Sequence, residues 1–469
     1  MVCGAPHLSA PDRRRPPPPV DARTAPANPT DTASPPRRGV RMSLTTRRSR
    51  LAASALAAIT AIGGLAACGN DDEPVAGEKP GKLVLETFGE FGYEELIKQY
   101  EKDTGIKIEL RKTAQLGEYR PKLVRYLATG KGAGDVVALE EGILNEFKSN
   151  PRNWVDLAPL VDDHSTDYLP WKWELGKAPD GRLMGLPTDV GSLAVCYRKD
   201  LFEAAGLPTD REQVSALWPD WDSFLQTGRT YKQGSGGKAF IDSVTAVADA
   251  ALFQQGADLF YDKENNIIAG TSPAVKTAWD TAVSMADISA KVATWSPEWS
   301  AGFKQGSFAA TFCPSWMLGI VADNSGEENK GKWDVAAVPG GGGNWGGSWL
   351  AVPEQSAHHE EAAKLAEFLT SAASQVEAFK AKGPLPTHLE ALQDEAFLSY
   401  TNEYFSDAPT GKIFGESVSK IEPIHLGPKH QAVKENAFGP ALRSFENGQA
   451  GEDEAWQQFT KDAEIQGAF

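Results

Sequence analysis

The chain of 469 residues, 41% hydrophobic and 23% charged, has the size of two or three globular domains. Its net charge of −16 is unevenly spread, since residues 68–469 carry 37 Lys and Arg against 60 Asp and Glu. So acidic a body argues against nucleic-acid binding. Four cysteines are too few for a disulfide-built scaffold, and without a CxxC pair or a Cys/His cluster they predict no metal site.

The N-terminal region has the composition of a targeting segment. Residues 1–41 are rich in Pro, Arg and Ala without apolar periodicity, which predicts disorder or a misassigned start upstream of Met42. Residues 42–67 combine a basic start with a 17-residue apolar stretch, the order of a secretory signal peptide. Small and polar residues within that stretch favour a cleaved signal over a short transmembrane anchor.

The signal ends in Leu65-Ala66-Ala67-Cys68, which resembles the lipobox of bacterial lipoproteins. The resemblance implies acylation of Cys68 and lasting attachment to the outer face of the cell membrane. Residues 68–80 are then expected to form a flexible tether. Adjacent arginines near the start of the signal leave twin-arginine export open beside the general secretory route.

From residue 82 onward, apolar periodicity predicts alternating strands and helices. Strands are predicted at Lys82–Phe88, Ile106–Arg111 and Asp135–Leu139, separated by two helices that each end at a glycine. This β-α-β-α-β order predicts an α/β fold with a mostly parallel sheet. Ligands of such sheets bind beyond the carboxyl ends of the strands.

The second part of the body continues this alternation. Further strands are predicted at Leu193–Tyr197, Trp333–Val338 and Trp349–Val352, with residues 240–290 largely helical and an amphipathic helix at His358–Ser371. A run of four glycines at 340–343 lacks the Lys-Ser/Thr pair of a phosphate-binding loop, so no nucleotide cofactor is expected.

Several tryptophans stand next to turn residues, which suggests a ligand-binding surface. All thirteen lie in the body, and several adjoin Gly, Pro or Ser, among them Trp295, Trp299, Trp316, Trp345 and Trp349. An aromatic face suits the apolar C–H face of a sugar, and carboxylates or amides suit its hydroxyls. Core packing is the alternative for each tryptophan taken singly.

Carboxylates follow the predicted strands or lie at crossings between them: Glu90, Glu140, Glu141 and Asp189. A paired-carboxylate glycosidase is one interpretation of them. Nothing in the sequence selects two of these groups as an acid and a nucleophile, and no GxSxG motif indicates a serine hydrolase.

The segment Asp180–Leu207 (DGRLMGLPTDVGSLAVCYRKDLFEAAGL) resembles the signature region of family 1 extracellular solute-binding proteins, the group of maltose-binding protein. Thr87–Gly105, Phe303–Trp316 and Trp333–Phe368 extend the resemblance, which runs from residue 82 to the C-terminus. The stretch GGGGNWGGSWLAVP is most similar to binders of cello-oligosaccharides and related β-linked sugars.

The resemblance implies a two-lobe type II periplasmic-binding-protein fold with hinge crossings. Lobe one would comprise 81–187 and 346–383, and lobe two 188–345 and 384–469. An oligosaccharide, for example cellobiose, would bind in the interlobe cleft, and the closed form would dock on the permease subunits of an ABC transporter. A monomeric binding protein without enzymatic activity, cofactor or metal is expected. A polysaccharide-degrading lipoprotein and a family 1 binder of a non-sugar solute are the alternatives.

Eight residues match binding elements of the family and are expected to contact carbohydrate: Glu90, Phe91, Glu140, Asp189, Trp316, Trp345, Gly347 and Ser348. His430 lies where some relatives place a stacking aromatic ring, so this chain departs from the family pattern at that position.

Two cysteines remain once the signal is cleaved and Cys68 is acylated, namely Cys196 and Cys313. An exported protein can form a disulfide, and a bond between them would shape the loop that carries Trp316. Two separate buried thiols that pack as small hydrophobic groups are the alternative.

Overall fold

The computed structural model describes residues 80–468. The predictions for the signal peptide at 42–67, for the segment 1–41 and for lipidation of Cys68 lie outside the described residues. Within the described part of the chain, no helix is long and apolar enough to cross a membrane, and no cluster of His, Cys, Asp and Glu could hold a metal ion.

The strands of the described chain are β1 (Lys82–Phe88), β2 (Lys107–Thr113), β3 (Val136–Glu140), β4 (Gly185–Pro187), β5 (Asp189–Val190), β6 (Val195–Arg198), β7 (Ala239–Ile241), β8 (Phe308–Phe312), β9 (Trp333–Ala336), β10 (Ser348–Ala351) and β11 (Leu385–Pro386). The helices are α1 (Glu94–Thr104), α2 (Leu116–Thr129), α3 (Glu141–Lys148), α4 (Pro170–Leu175), α5 (Lys199–Ala204), α6 (Arg211–Ser215), α7 (Trp221–Gly234), α8 (Val244–Leu252), α9 (Pro273–Ser284), α10 (Pro297–Gln305), α11 (Met317–Ser325), α12 (His359–Thr370), α13 (Ala372–Lys382), α14 (Glu395–Leu398), α15 (Thr410–Val418), α16 (His430–Val433), α17 (Gly439–Glu446) and α18 (Glu452–Gly467).

The first sheet has the strand order β2-β1-β3-β10-β4. β1 pairs in parallel with β2 and β3, as the β-α-β-α-β pattern predicts. β10 runs antiparallel to both β3 and β4, so β4 has the same direction as β1, β2 and β3, and four of the five strands are parallel, as the sequence predicts. β10 returns from a segment about 200 residues further along the chain, and local periodicity carries no information on its direction.

A second sheet has the order β7-β8-β6-β9, and β5 and β11 form a separate antiparallel pair. Each larger sheet packs helices around its own buried apolar core. This is the two-lobe α/β architecture predicted for the chain. α13 contributes Val376 and Phe379 to the core beside the second sheet and Ala378 to the core of the first. The proposed lobe boundary near residue 383 therefore follows a helix that packs on both cores.

Residues 240–290 are less helical than predicted. β7 opens this stretch, and residues 253–272 between α8 and α9 form an irregular loop. The Asp262 carboxylate accepts hydrogen bonds from both the backbone and side-chain nitrogens of Asn266, which fixes a turn in place of a helix.

Candidate ligand-binding cleft

A cavity of about 330 Å³ is lined by segments from both sheet systems. From the first come the loops after β1, β2 and β3, and from the second come α8, residues 294 and 295, Trp316 and the stretch 431–443. The structure brings together all eight residues predicted to bind carbohydrate: Glu90, Phe91, Glu140, Asp189, Trp316, Trp345, Gly347 and Ser348. Their contact with a sugar stays a prediction.

Tryptophans form one wall of this cavity. The rings of Trp295 and Trp316 are nearly parallel, with centroids 6.1 Å apart and an interplanar angle of 17°. Trp345 meets Trp316 edge-on at 6.2 Å, and the Trp316 Nε1–H donates to the Trp345 carbonyl at 2.9 Å. These contacts fix the ring orientations. Trp295 and Trp316 keep accessible indole surface, whereas Trp345 is 6% exposed.

Two of the five tryptophans singled out from the sequence lie in the core. Trp299 is 1% exposed and donates its Nε1–H to Asp242, while Trp349 is fully buried in β10. The core-packing alternative is the right one for both. A neighbouring turn residue does not distinguish these rings from the ones that line the cavity.

The loop before β10 brings backbone close to the cavity through glycines. Gly346 and Gly347 have φ of 84° and 109°, in the region that favours glycine. A Cβ at Gly347 would overlap the carbonyl oxygen of Asp189. The Trp345 N–H donates to the Gly191 carbonyl at 2.8 Å, which holds this loop against the segment after β5.

The carboxylates of the cavity differ in environment. Glu140 ends β3 and caps α3, accepting from the Gly142 N–H at 2.7 Å. Burial raises the pKa of Glu140 to about 7, and the ammonium of Lys434 opposes that rise. Asp189 is 5% exposed and accepts from the Thr188 hydroxyl at 2.6 Å, and burial raises its pKa as well.

Glu90 lies nearer the solvent than these two groups. Its side chain is 36% exposed, and its carboxylate pairs with Lys112 at 2.8 Å. Lys112 also contacts Glu94 at 2.9 Å, so a ligand must share or displace an existing partner to bind the Glu90 carboxylate.

One charged side chain that lines the cavity, Lys434, was not predicted from the sequence. The Lys434 Nζ lies 3.3 Å from Asp249 of α8 and 5.4 Å from the centroid of the Trp345 ring. Lys434 opens a single π-helical turn, Lys434–Phe438, between α16 and α17. Such turns are frequent at functional sites, because the inserted residue redirects side chains. No local motif predicts one.

His430 does not reach the cavity. Its side chain is 1% exposed, its ring lies 4.8 Å from that of Phe260, and burial lowers its pKa to about 3. Where some relatives have a stacking aromatic ring, this chain therefore has the neutral imidazole of His430, buried in the core.

A buried polar network stands behind the cavity wall. The Lys172 Nζ donates to Glu141 at 2.7 Å, and both side chains are at most 5% exposed. The Asn344 amide nitrogen donates to both Glu141 oxygens at 3.1 Å, while its oxygen accepts from the Gly191 N–H at 2.8 Å. The network thus ties α3 and α4 to the loop that carries Trp345.

The disulfide considered from the sequence is present in the structure. Cys196 of β6 and Cys313, which follows β8, are joined, with their Cα atoms 5.5 Å apart. Both residues are fully buried. The bond fixes the start of the segment that leads to Trp316.

Glu140 gives the fold a specific pH dependence. Its carboxyl holds a proton more tightly in the folded protein than at the ordinary pKa of 4.5. The protonated Glu140 carboxyl therefore contributes its full stabilisation of the folded state below about pH 4.5, and this contribution is lost as the pH rises through about 7. Between about pH 5 and pH 8, the free energy of unfolding of the wild type should fall by at most about 3 kcal/mol relative to that of Glu140→Gln. Solvent screening of the half-buried carboxyl reduces this difference.

Urea unfolding of both proteins at the two pH values measures this difference. Glu174→Gln, at an exposed carboxylate on α4, is the control and should follow the wild type. Parallel pH profiles for wild type and Glu140→Gln would contradict the assignment.

Comparison with known proteins identifies the family. The family model of the bacterial extracellular solute-binding proteins matches residues 95–403 of the chain. The chain belongs to this family. A crystal structure of a family 1 extracellular solute-binding protein shares 37% identity with a TM-score of 0.73, covering 83% of this chain and all of that one. The predicted family and two-lobe fold are confirmed.

Curated relatives of this solute-binding protein carry sugar names. The lactose-binding protein of Rhizobium radiobacter is 25% identical over 50% of this chain and 58% of its own length. The arabinooligosaccharide-binding protein of Bacillus subtilis (strain 168) is 25% identical over 59% of this chain and 65% of its own. The chain thus spans under two thirds of each relative.

A more distant solved structure shares the fold. The ABC transporter associated binding protein of B. animalis subsp. lactis Bl-04, in complex with β-1,6-galactobiose, is 21% identical with a TM-score of 0.72. It covers 83% of this chain and 98% of its own. The relatives named here are binding proteins, which favours binding over catalysis for this solute-binding protein.

Proposed function

We propose that this protein captures an oligosaccharide in the cavity and delivers it to the permease subunits of an ABC importer. The observation that carries the proposal is the tryptophan wall of Trp295, Trp316 and Trp345, which shares one cavity with the buried carboxylate of Asp189 and the half-buried carboxylate of Glu140. Indole faces stack on the apolar faces of sugar rings, while Glu140 and Asp189 accept hydrogen bonds from their hydroxyls.

The named relatives support the same ligand class, since two carry lactose- and arabinooligosaccharide-binding names. Within that class, cello-oligosaccharides are our specific candidate. It rests on the resemblance of GGGGNWGGSWLAVP, three residues of which, Trp345, Gly347 and Ser348, line the cavity.

The charges around the cavity favour a neutral ligand. Five carboxylates line it: Glu90, Glu140, Asp189, Asp249 and Glu435. Two cationic side chains, Lys434 and Arg443, offset them only in part. An anionic sugar such as a uronic acid would meet this excess of negative charge in a partly desolvated site, which lowers its affinity.

Lobe closure is the transport signal in this proposal. Lobe one comprises 81–187 and 346–383, and lobe two 188–345 and 384–469, with β5 and β11 near the crossings. Ligand contacts from both lobes favour the closed form, and only that form presents the surface the permease binds. A monomer suffices for this cycle.

A thermal-shift screen tests the proposed function. The panel contains cellobiose, lactose, arabinobiose, β-1,6-galactobiose and maltose, with lactobionate as the anionic control and putrescine as a non-sugar. A ligand at 100 times its Kd adds about 2.7 kcal/mol to the stability of the folded state. At least one neutral sugar should raise the melting temperature, and lactobionate should raise it less than lactose.

Other outcomes decide between the alternatives. A shift with putrescine alone would favour a non-sugar solute. Hydrolysis of a panel sugar during incubation would favour an enzyme. Absence of a shift with any neutral sugar would contradict the proposal.

We further propose that Cys68 is acylated and that 68–80 tether the protein to the extracytoplasmic face of the cell membrane. Cys68→Ser should then release the protein into the soluble exported fraction or block its processing, because the acyl chains supply the attachment. Membrane fractionation with intact mass analysis measures both. Cys196→Ala/Cys313→Ala, which leaves the lipobox intact and no buried thiol unpaired, is the matched control and should stay in the membrane fraction. Membrane retention of Cys68→Ser would contradict the anchor.

A further inference from the structure

Trp295 has an unusual exposure for a large aromatic residue. Its side chain is 40% exposed, whereas each of the other twelve tryptophans, all within residues 80–468, is buried or only partly exposed. It nevertheless lines the cavity, at the outer end of the row formed with Trp316 and Trp345. An exposed indole inside a binding cavity is a surface available to a ligand.

The backbone of Trp295 is also unusual. Its φ of 70° lies in the left-handed region, and it is the only aromatic residue with positive φ in the described chain. The next residue, Ser296, caps α10 by accepting from the Trp299 N–H, and the Trp299 ring supports the Trp295 ring at 5.0 Å. The neighbouring structure therefore holds the indole in one place, and such conformations cluster at ligand clamps.

A third observation links Trp295 to the opposite wall. The Gln115 Nε2–H donates to the Trp295 carbonyl at 3.3 Å. Gln115 lies between β2 and α2 of the first sheet system, 180 residues away in the chain, and also lines the cavity. The hydrogen bond directly connects a loop of the first sheet system with a cavity-lining residue that precedes α10.

We propose that Trp295 is a specificity-determining residue that forms an outer stacking subsite and makes affinity depend on ligand length. This inference rests on the proposed sugar-binding function. The inner sugar residue binds among Glu140, Asp189 and Lys434, the next stacks on Trp316, and a further residue stacks on Trp295. Gln115 acts as a positioning residue, because its side chain holds the Trp295 backbone from the first sheet system.

The test measures affinity by calorimetry for the di-, tri- and tetrasaccharides of the cello-, arabino- and β-1,6-galacto-series. In the series that binds the wild type, Trp295→Ala should weaken tetrasaccharide binding about tenfold and disaccharide binding under about threefold. Trp295→Phe should recover most of the loss, because a smaller stacking face remains. Gln115→Ala should weaken only the longer ligands, by about threefold.

Trp456→Ala on α18, outside the cavity, is the control and should bind every ligand as the wild type does, with circular dichroism reporting the fold of each variant. An equal loss at all lengths, or no loss at any length, would overturn the role of Trp295 and leave the proposed function intact. Failure of the wild type to bind any of the three series, or lactose or maltose, would overturn the proposed function, and this inference with it.

Discussion

Replacing Lys172 by Met should lower the free energy of unfolding by about 3–5 kcal/mol, because it leaves the buried Glu141 carboxylate without its cation. The Lys172 ammonium is fully buried, 2.7 Å from Glu141 and 3.9 Å from the centroid of the Trp349 ring. No water can replace the lost partner at low cost in so enclosed a place.

The double variant Lys172→Met/Glu141→Leu distinguishes the contribution of the ion pair to stability from that of the surrounding packing. Removing both charges should cost less than Lys172→Met alone, since a buried ion pair contributes little net stability against apolar residues of similar size. Urea unfolding measures both variants, and Lys177→Met at a half-exposed ion pair is the control with an expected change under about 1 kcal/mol. A loss under about 1 kcal/mol for Lys172→Met would show that the pair is not essential to the fold.

Removing the disulfide should cost about 2–5 kcal/mol in the double variant Cys196→Ala/Cys313→Ala. The bond closes a stretch with a sequence separation of 117, so it restricts the unfolded chain over a long loop. Using both alanines avoids a free buried thiol.

Guanidinium unfolding of the wild type, with and without reductant, against the double variant measures this effect. The reduced wild type should unfold at the lower denaturant concentration of the variant, and its intact mass should rise by two hydrogens. Two titratable thiols in the oxidised wild type, or coincident unfolding curves for the oxidised wild type and the double variant, would contradict the disulfide.

Much of the first sheet could be predicted from the sequence, because its strands and helices follow one another locally. The Lys82–Phe88 strand has the predicted bounds, and α1 ends at Gly105 in the left-handed conformation its position suggests. The short strands β4, β5 and β11 have two or three residues each, too few to show alternation. Only their long-range partners make them strands.

The candidate site divides in the same way. Asp189 and Trp316 line the cavity. They could be predicted from the sequence because they belong to continuous motifs that resemble those of the family. Lys434 and Asp249 have no such signal, since a π-helical turn and a distant helix bring them together. Trp299 and Trp349 were singled out from the sequence but are buried in the core. Their burial depends on which side of the strand or helix faces the core, and a neighbouring turn residue does not reveal that.

Calorimetric titration of the strongest panel sugar into wild type and Trp316→Ala tests the central claim most directly. We expect one sugar per chain for the wild type and a loss of about 1–3 kcal/mol in binding free energy for Trp316→Ala, with unchanged circular dichroism. Equal affinity in two well-folded proteins, or binding of more than one sugar per chain with no dependence on Trp316, would contradict binding in this cavity.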